Sequence, residues 1–151
     1  MLELPELPKG YILEGLSEED YDHNALELLS ELTTVGYVSR ENFNTFVKLQ
    51  QTDMYNTIVI RNPQGTVVGI STLLIETKLI HGFSKVGHIE DVAVSSEERG
   101  NNIGLYMIRY LCNKALGLGC YKIILDCDEK NAPFYEKCGL RRVGIEMDYR
   151  G

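Results

Sequence analysis

The segment Val92-Ala93-Val94-Ser95-Ser96-Glu97-Glu98-Arg99-Gly100-Asn101-Asn102-Ile103-Gly104 constrains the fold more than any other part of the chain. A β-branched apolar run ends in it, a polar Gly/Asn-rich turn follows, and a helical apolar pattern begins at once. Leu105, Ile108, Cys112 and Ala115 share one face of that helix, with Leu111 and Leu118 beside them. Gly117 and Gly119 stop it, and Tyr121 to Asp126 reads as a buried strand. Strand, loop, helix and strand in this order form a crossover unit, which is right-handed and joins parallel strands.

The remaining elements are built around that unit. Tyr11 to Glu14 reads as a short first strand, and Ser17 as the N-cap of a helix with acids in its first turn. Tyr21, Ala25, Leu28, Leu29 and Leu32 give this helix its apolar face, and Thr33-Thr34-Val35-Gly36 ends it. Ser39 caps a second helix carrying Phe43, Phe46 and Val47. From Tyr55 the period changes: Tyr55 to Arg61 and Thr66 to Thr77 flank Asn62-Pro63-Gln64-Gly65 and predict a hairpin. A loop, Lys78 to Val86, leads to the strand Gly87 to Val94. Beyond the crossover, Asn131 to Cys138 is a short helix ended by Gly139, and Arg142 to Tyr149 a last strand. The order β-α-α-β-β-β-α-β-α-β predicts one mixed α/β (α+β) domain over residues 1–151. Its central sheet is mostly antiparallel and flanked by helices.

Composition narrows the function. A chain of 151 residues buries roughly 70% of its unfolded surface, enough for a core without disulfides or metal. Fifteen basic against 22 acidic residues, net -7, repel phosphate backbones and anionic lipid, so neither nucleic acid nor a membrane surface is expected as partner. No apolar run approaches the ~20 residues of a membrane span. Met1-Leu2-Glu3-Leu4-Pro5-Glu6 lacks the basic region and apolar stretch of a signal peptide. A soluble cytoplasmic protein is expected, with an organellar location the alternative. Cys112, Cys120, Cys127 and Cys138 form no C-x-x-C pair, and His23, His81 and His88 lie scattered ahead of them. They are expected to be reduced, buried thiols with no metal.

Chemistry concentrates at the loop. The first amides of a helix have no intrahelical partner, and the dipole adds roughly half a positive charge there. Gly100 and Gly104 would let the main chain approach a pyrophosphate closely, with Arg99 as an added cation. No Lys-Ser/Thr follows Gly104, and no G-x-G-x-x-G is present, so nucleotide triphosphatase and dinucleotide chemistry are disfavoured. On pattern alone, Tyr135 is a half-buried aromatic of an amphipathic helix. Glu90 and Asp91 are adjacent acids in an apolar strand, with side chains on opposite faces; an acid on a buried strand is costly unless paired, so they mark either a solvated strand edge or a site that uses them.

Arg99-Gly100-Asn101-Asn102-Ile103-Gly104 resembles the acetyl-CoA pyrophosphate loop, Q/R-x-x-G-x-G/A, of the GNAT N-acetyltransferases. Leu32-Thr33-Thr34-Val35-Gly36, Lys78-Leu79-Ile80-His81, Gly87-His88-Ile89-Glu90-Asp91-Val92-Ala93-Val94 and Cys120-Tyr121-Lys122-Ile123-Ile124-Leu125-Asp126-Cys127 extend the likeness. So do Asn131 and Phe134-Tyr135-Glu136-Lys137-Cys138-Gly139. From about Gly10 to Arg150 the chain is similar to the glucosamine 6-phosphate N-acetyltransferase family.

The resemblance implies the GNAT fold and direct transfer of acetyl from acetyl-CoA to the amine of D-glucosamine 6-phosphate in a ternary complex. The product serves UDP-N-acetylglucosamine synthesis. An amine with a pKa near neutrality needs no nucleophilic relay, only near-attack geometry worth at best about 7–11 kcal/mol. It implies cofactor contacts from Val92, Ala93, Val94, Arg99, Gly100, Asn101, Asn102, Ile103, Gly104, Leu105, Asn131 and Tyr135, with Lys137 a weaker candidate. Tyr135 becomes the proton donor to the leaving thiolate, and Glu90 and Asp91 act on the sugar and draw off the ammonium proton through water. The acceptor site comprises Thr33, Lys78, Leu79, Ile80, His81, Glu90, Asp91, Val92, Tyr121, Lys122, Asp126 and Arg150. Arg150 reaches it from a neighbouring subunit, so a homodimer completed by the C-terminal strand is expected. Two positions depart from the family: Asn102 stands where glycine is usual and Leu105 where lysine is common. Asn tolerates unusual backbone angles, so the loop is expected to persist. A GNAT enzyme for another amine, such as a polyamine or a protein N-terminus, is the alternative; a polyamine would favour an acidic pocket and have no use for Lys122, His81 and Arg150. A non-catalytic acyl-CoA-binding module would have no use for Tyr135 or the acid pair.

Overall fold

A computed structural model describes the backbone of residues 1–151 and every side chain except that of Gln51. Its sheet has five strands in the order β1-β2-β3-β4-β5. They are β1 (Ile12–Gly15), β2 (Tyr55–Arg61), β3 (Val67–Thr77), β4 (Lys85–Val94) and β5 (Cys120–Ile124). The first four pair antiparallel with their neighbours, and β4 pairs parallel with β5. The hairpin between β2 and β3 forms where turn chemistry demands it. Asn62 Oδ1 accepts from the amides of Gln64 at 3.1 Å and Thr66 at 3.0 Å, and Gly65 supplies the left-handed φ of +81°. As the central strand, β3 is buried on both faces, and its Thr72 hydroxyl meets that of Thr57 at 2.7 Å.

Helices cover both faces. On one lies α4 (Ile103–Gly117), which buries Ile103, Met107, Ile108, Leu111 and Ala115 against the sheet. Each large apolar side chain buried there stabilises the fold by about 1.5–3 kcal/mol. The short α5 (Ala132–Cys138) packs beside it. On the other face, α1 (Ala25–Leu29) and α2 (Arg40–Lys48) cover Val59, Val67, Ile70 and Ala93. Ser39 caps α2 as expected, its Oγ accepting from the Asn42 amide at 3.0 Å. Among the described residues no helix is long and apolar enough to cross a membrane.

Three expectations are corrected. The first helix does not run unbroken from Ser17: a 3-10 turn, Glu18–Asp22, precedes α1, and Asn24 between them takes φ +84°. The break has a tertiary cause, since Asn24 Nδ2 and the His23 carbonyl bond the carbonyl and amide of Val67, each at 2.9 Å. The loop before β4 contains a tight turn, α3 (Ile80–Phe83), in which His81, Gly82 and Phe83 have left-handed φ. Arg142 to Tyr149 joins no ladder within the chain. Val143, Ile145, Met147 and Tyr149 alternate along it, 74–94% exposed. A strand pattern is present there without a strand partner.

Candidate active site

The parallel ladder between β4 and β5 runs only from Lys85↔Cys120 to His88↔Ile124. Beyond it β4 continues to Val94 paired only with β3, and β4 and β5 part. The opening holds a cleft of about 260 Å³. Ile89, Glu90, Asp91 and Val92 form one wall, and Leu125, Asp126, Cys127 and Asp128 the other. Asn131 and Tyr135 reach in from the α5 side, and Leu32 stands at the border.

A β-bulge shapes the first wall. Ile70 pairs with Ala93 and Thr72 with Glu90, so Ser71 alone opposes Asp91 and Val92. Asp91 absorbs the extra residue at φ +51°, and the buried Ser71 hydroxyl donates to the Glu90 carbonyl at 3.2 Å. Strict alternation fails at the bulge, and both acids border the cleft. Ala93, paired with Ile70, is buried toward α1 and α2 and does not line the cleft.

The cleft is acidic: Glu90, Asp91, Asp126 and Asp128 border it, with no lysine or arginine. Burial, and then Asp126 and Asp91, push the Glu90 carboxyl above the ordinary range, against a smaller opposing pull from His88. The carboxyl of Glu146, in the C-terminal segment, is raised as well, chiefly by Asp126. Burial, with smaller contributions from Cys127, Cys138 and Asp126, pushes the Tyr135 phenol up to about 12. Tyr135 is therefore a neutral hydrogen-bond donor at physiological pH. The Phe134 ring meets it edge-on at 5.0 Å between centroids, a favourable aromatic pairing.

The glycine-rich loop leads from β4 into α4. Gly100 takes φ +86° in open space, and Asn102 caps α4 at φ +61°, ψ 22°, the left-handed conformation usual for glycine. No side chain caps the helix, so the amides of Ile103, Gly104 and Leu105 lack intrahelical partners. Arg99 is exposed beside them. Gly104 departs from its expected role of admitting a ligand. It is buried, and a Cβ there would lie 2.9 Å from Phe134 Cζ, so this glycine admits the α5 aromatic.

The expected acceptor residues divide. His81 stacks on Tyr121 at 4.1 Å between centroids, and Lys122 Nζ lies 5.7 Å from the same ring. Leu79 and Ile80 are exposed next to them in sequence. Lys78 is paired with Glu76 at 3.4 Å, which also meets His88 at 2.9 Å. Thr33 is exposed beside Leu32, and Arg150 pairs with Asp148 at 3.1 Å on the free tail. Thus Glu90, Asp91, Val92, Asp126, Asn131 and Tyr135 share the cleft, whereas Thr33, Lys78 and Arg150 do not border it. Leu32, Ile89, Leu125, Cys127 and Asp128 were not anticipated. Cys127 and Asp128 could have been found by extending the Asp126 position past the strand end, while nothing local marks Leu32. Cys127 is exposed, contrary to the expected burial that the other three thiols follow. Among the described residues no group of three or more His, Cys, Asp or Glu side chains could hold a metal ion.

Residues 23–140 match the acetyltransferase (GNAT) family. The chain is 44% identical over 143 residues to a glucosamine 6-phosphate N-acetyltransferase of Candida albicans, spanning 93% of this chain and 96% of that one. It is 36% identical over 144 residues to the Arabidopsis thaliana glucosamine 6-phosphate N-acetyltransferase, spanning 93% and 97%. The crystal structure of the Arabidopsis enzyme superposes with a TM-score of 0.89 at 34% identity, over 93% of this chain and 97% of that chain. A Trypanosoma brucei acetyltransferase superposes with a TM-score of 0.85 at 37% identity, over 93% and 99%.

Proposed function

The chain belongs to the glucosamine 6-phosphate N-acetyltransferases of the GNAT family, and from that membership we propose that its cleft transfers acetyl from acetyl-CoA to the 2-amino group of D-glucosamine 6-phosphate. The observation that carries the proposal is the cleft between the parted strands, acidic on both walls and reached by a protonated Tyr135. An acidic cleft suits an amine acceptor, and a neutral phenol suits a departing thiolate.

The donor side fits acetyl-CoA. Uncapped amides at the α4 N-terminus, the open turn at Gly100 and the exposed Arg99 suit its pyrophosphate. The bulged main chain at Asp91 and Val92, lacking ladder partners, suits the pantetheine arm and the thioester carbonyl. When bound, acetyl-CoA supplies an activated acyl group: the N–C bond forms as the C–S bond breaks. Tyr135 donates its proton, or a hydrogen bond, to the sulfur. Glu90, its carboxyl raised by burial and by Asp126 and Asp91, accepts the ammonium proton through water, and Asp91 and Asp126 hold the sugar. Asn131 is a further contact to the donor.

The phosphate requires cations that the cleft lacks. Lys122, beside the Tyr121 ring on which His81 stacks, supplies part of that charge, with Thr33 as a hydroxyl contact and the Lys78–His81 segment as the wall. Arg150 completes the site from a second subunit. The alternating exposed residues of the tail support a homodimer in which Arg142 to Tyr149 finds its ladder in the partner. Four free thiols support a reducing, cytoplasmic setting. The test is product mass after incubation with acetyl-CoA and either glucosamine 6-phosphate or glucosamine. Acetylation of the phosphorylated sugar alone is expected. Product from a polyamine and from neither sugar would replace this reading.

A further inference from the structure

Next to the glycine-rich loop lies a buried carboxylate that the reaction itself does not use. Glu98 is only 9% exposed, and no ion pair involves it among the described residues. Two neutral donors hold it instead. Tyr11 Oη donates to its two oxygens at 2.9 and 3.0 Å, and Asn101 Nδ2 donates to Oε2 at 2.7 Å. The Asn101 amide also donates to the Glu98 carbonyl at 3.2 Å, so main chain and side chain close the same turn around Gly100. Tyr11 brings in the start of β1, far off in sequence, and its own amide is tied to the Pro8 carbonyl at 3.1 Å.

A buried carboxylate is costly unless hydrogen-bonded, and charge-assisted bonds of this kind are about twice as strong as neutral ones. Here they fix a segment that would otherwise be loose, since Gly100 has free backbone rotation and Asn102 sits in the left-handed region. A loop ordered beforehand binds its ligand without the entropic cost of ordering it. We propose that Glu98 is a positioning residue that presets the Arg99–Gly104 turn for the pyrophosphate of acetyl-CoA, with Tyr11 holding its carboxylate in place. This rests on the proposed reading of that segment as the pyrophosphate loop.

Charge and geometry make opposite demands, which gives the test its sign. Removing a negative charge beside an anion site should tighten anion binding by Coulomb's law alone. Loosening the turn should weaken it. The experiment is calorimetric titration of full-length wild type and Glu98→Gln with CoA, together with initial rates using acetyl-CoA and S-acetylpantetheine, which lacks the pyrophosphate. Glu98→Gln is expected to weaken CoA binding and raise the acetyl-CoA KM by roughly tenfold. Its kcat and its kinetics with S-acetylpantetheine should stay at the wild-type level. Unchanged or tighter CoA binding overturns the proposal, and so does equal loss with both donors, which marks a merely structural role. If Glu98→Gln does not fold, Tyr11→Phe removes one donor only. It should raise the acetyl-CoA KM by a smaller factor and leave the truncated donor unaffected, and an unchanged KM overturns the proposal. Wild type that fails to bind CoA at all removes the loop reading beneath it, a result distinct from loss of the Glu98 role alone.

Discussion

The donor and acceptor halves of the proposed site are built differently. The donor half lies on elements locked into the core: the bulged end of β4, the turn into α4, and α5 wedged against Gly104. The acceptor half combines the acids of the cleft with segments at the surface: the Lys78–His81 turn, Tyr121 and Lys122 of β5, and a tail that no strand receives. Acyl transfer needs a rigid frame for the thioester, and a single core supplies one. Recognition of a sugar phosphate needs several cations brought together, and an acidic chain supplies them by bringing scattered segments, and by proposal a second subunit, to one place.

The largest expected effect falls on the donor half. Tyr135→Phe removes the only proton the phenol can give and should lower kcat by roughly 100-fold while the acetyl-CoA KM barely moves. An unchanged kcat would take Tyr135 out of the acid role and break the contrast at its firmest point. On the acceptor half, Arg150→Ala should raise the glucosamine 6-phosphate KM by about tenfold with acetyl-CoA binding intact. Collapse of acetyl-CoA affinity would instead put the tail in the donor half.

Gly104→Ala asks whether the donor half is as tightly packed as described. The new Cβ would lie 2.9 Å from the tip of the Phe134 ring, a side-chain end able to shift. The cost should fall at the low end of overpacking, about 1 kcal/mol, or roughly 2–4 °C in Tm for a chain of this size. A thermal melt reads it, and an unchanged Tm would mean that α5 is held loosely. Glu90→Gln gives the smallest shift, and its sign is informative. The folded protein holds the Glu90 carboxyl above its ordinary pKa, so stability is lost as pH rises through the raised value. The variant should therefore melt slightly higher than wild type at pH 8, and the gap should close below about pH 4. Its rate should lose the part of the acidic limb that Glu90 imposes. A lower melting point at pH 8 would mean that the carboxylate is stabilised in the cleft and unsuited to take a proton.

Elements whose causes are local were legible in the sequence. The hairpin follows from Asn62 and Gly65, α2 from Ser39, and α4 from an apolar face and the polar turn before it. Tertiary causes were not. Asn24 breaks the first helix because Val67, more than forty positions away, takes its hydrogen bonds. The bulge at Asp91 is invisible to a period-two reading, yet it shifts the alternation so that Val92 packs toward α4 and Ala93 toward α1 and α2. Arg142 to Tyr149 carries a strand-like alternation but forms no strand in the chain, because alternation alone supplies no neighbour to pair with. The Glu98–Tyr11 contact joins residues 87 apart, and no spacing rule connects them.

The sharpest test of the two-part site is complementation between defective subunits. Tyr135→Phe and Arg150→Ala chains carrying different tags would be co-expressed, the doubly tagged species purified, and acetylation of glucosamine 6-phosphate measured at low acceptor concentration. If Arg150 serves the neighbouring site, each mixed dimer holds one site with both Tyr135 and Arg150 intact, and activity should recover toward half of wild type. If the mixed species is no more active than the better of the two parent variants, Arg150 acts within its own chain, and completion of the acceptor half by a second subunit is wrong.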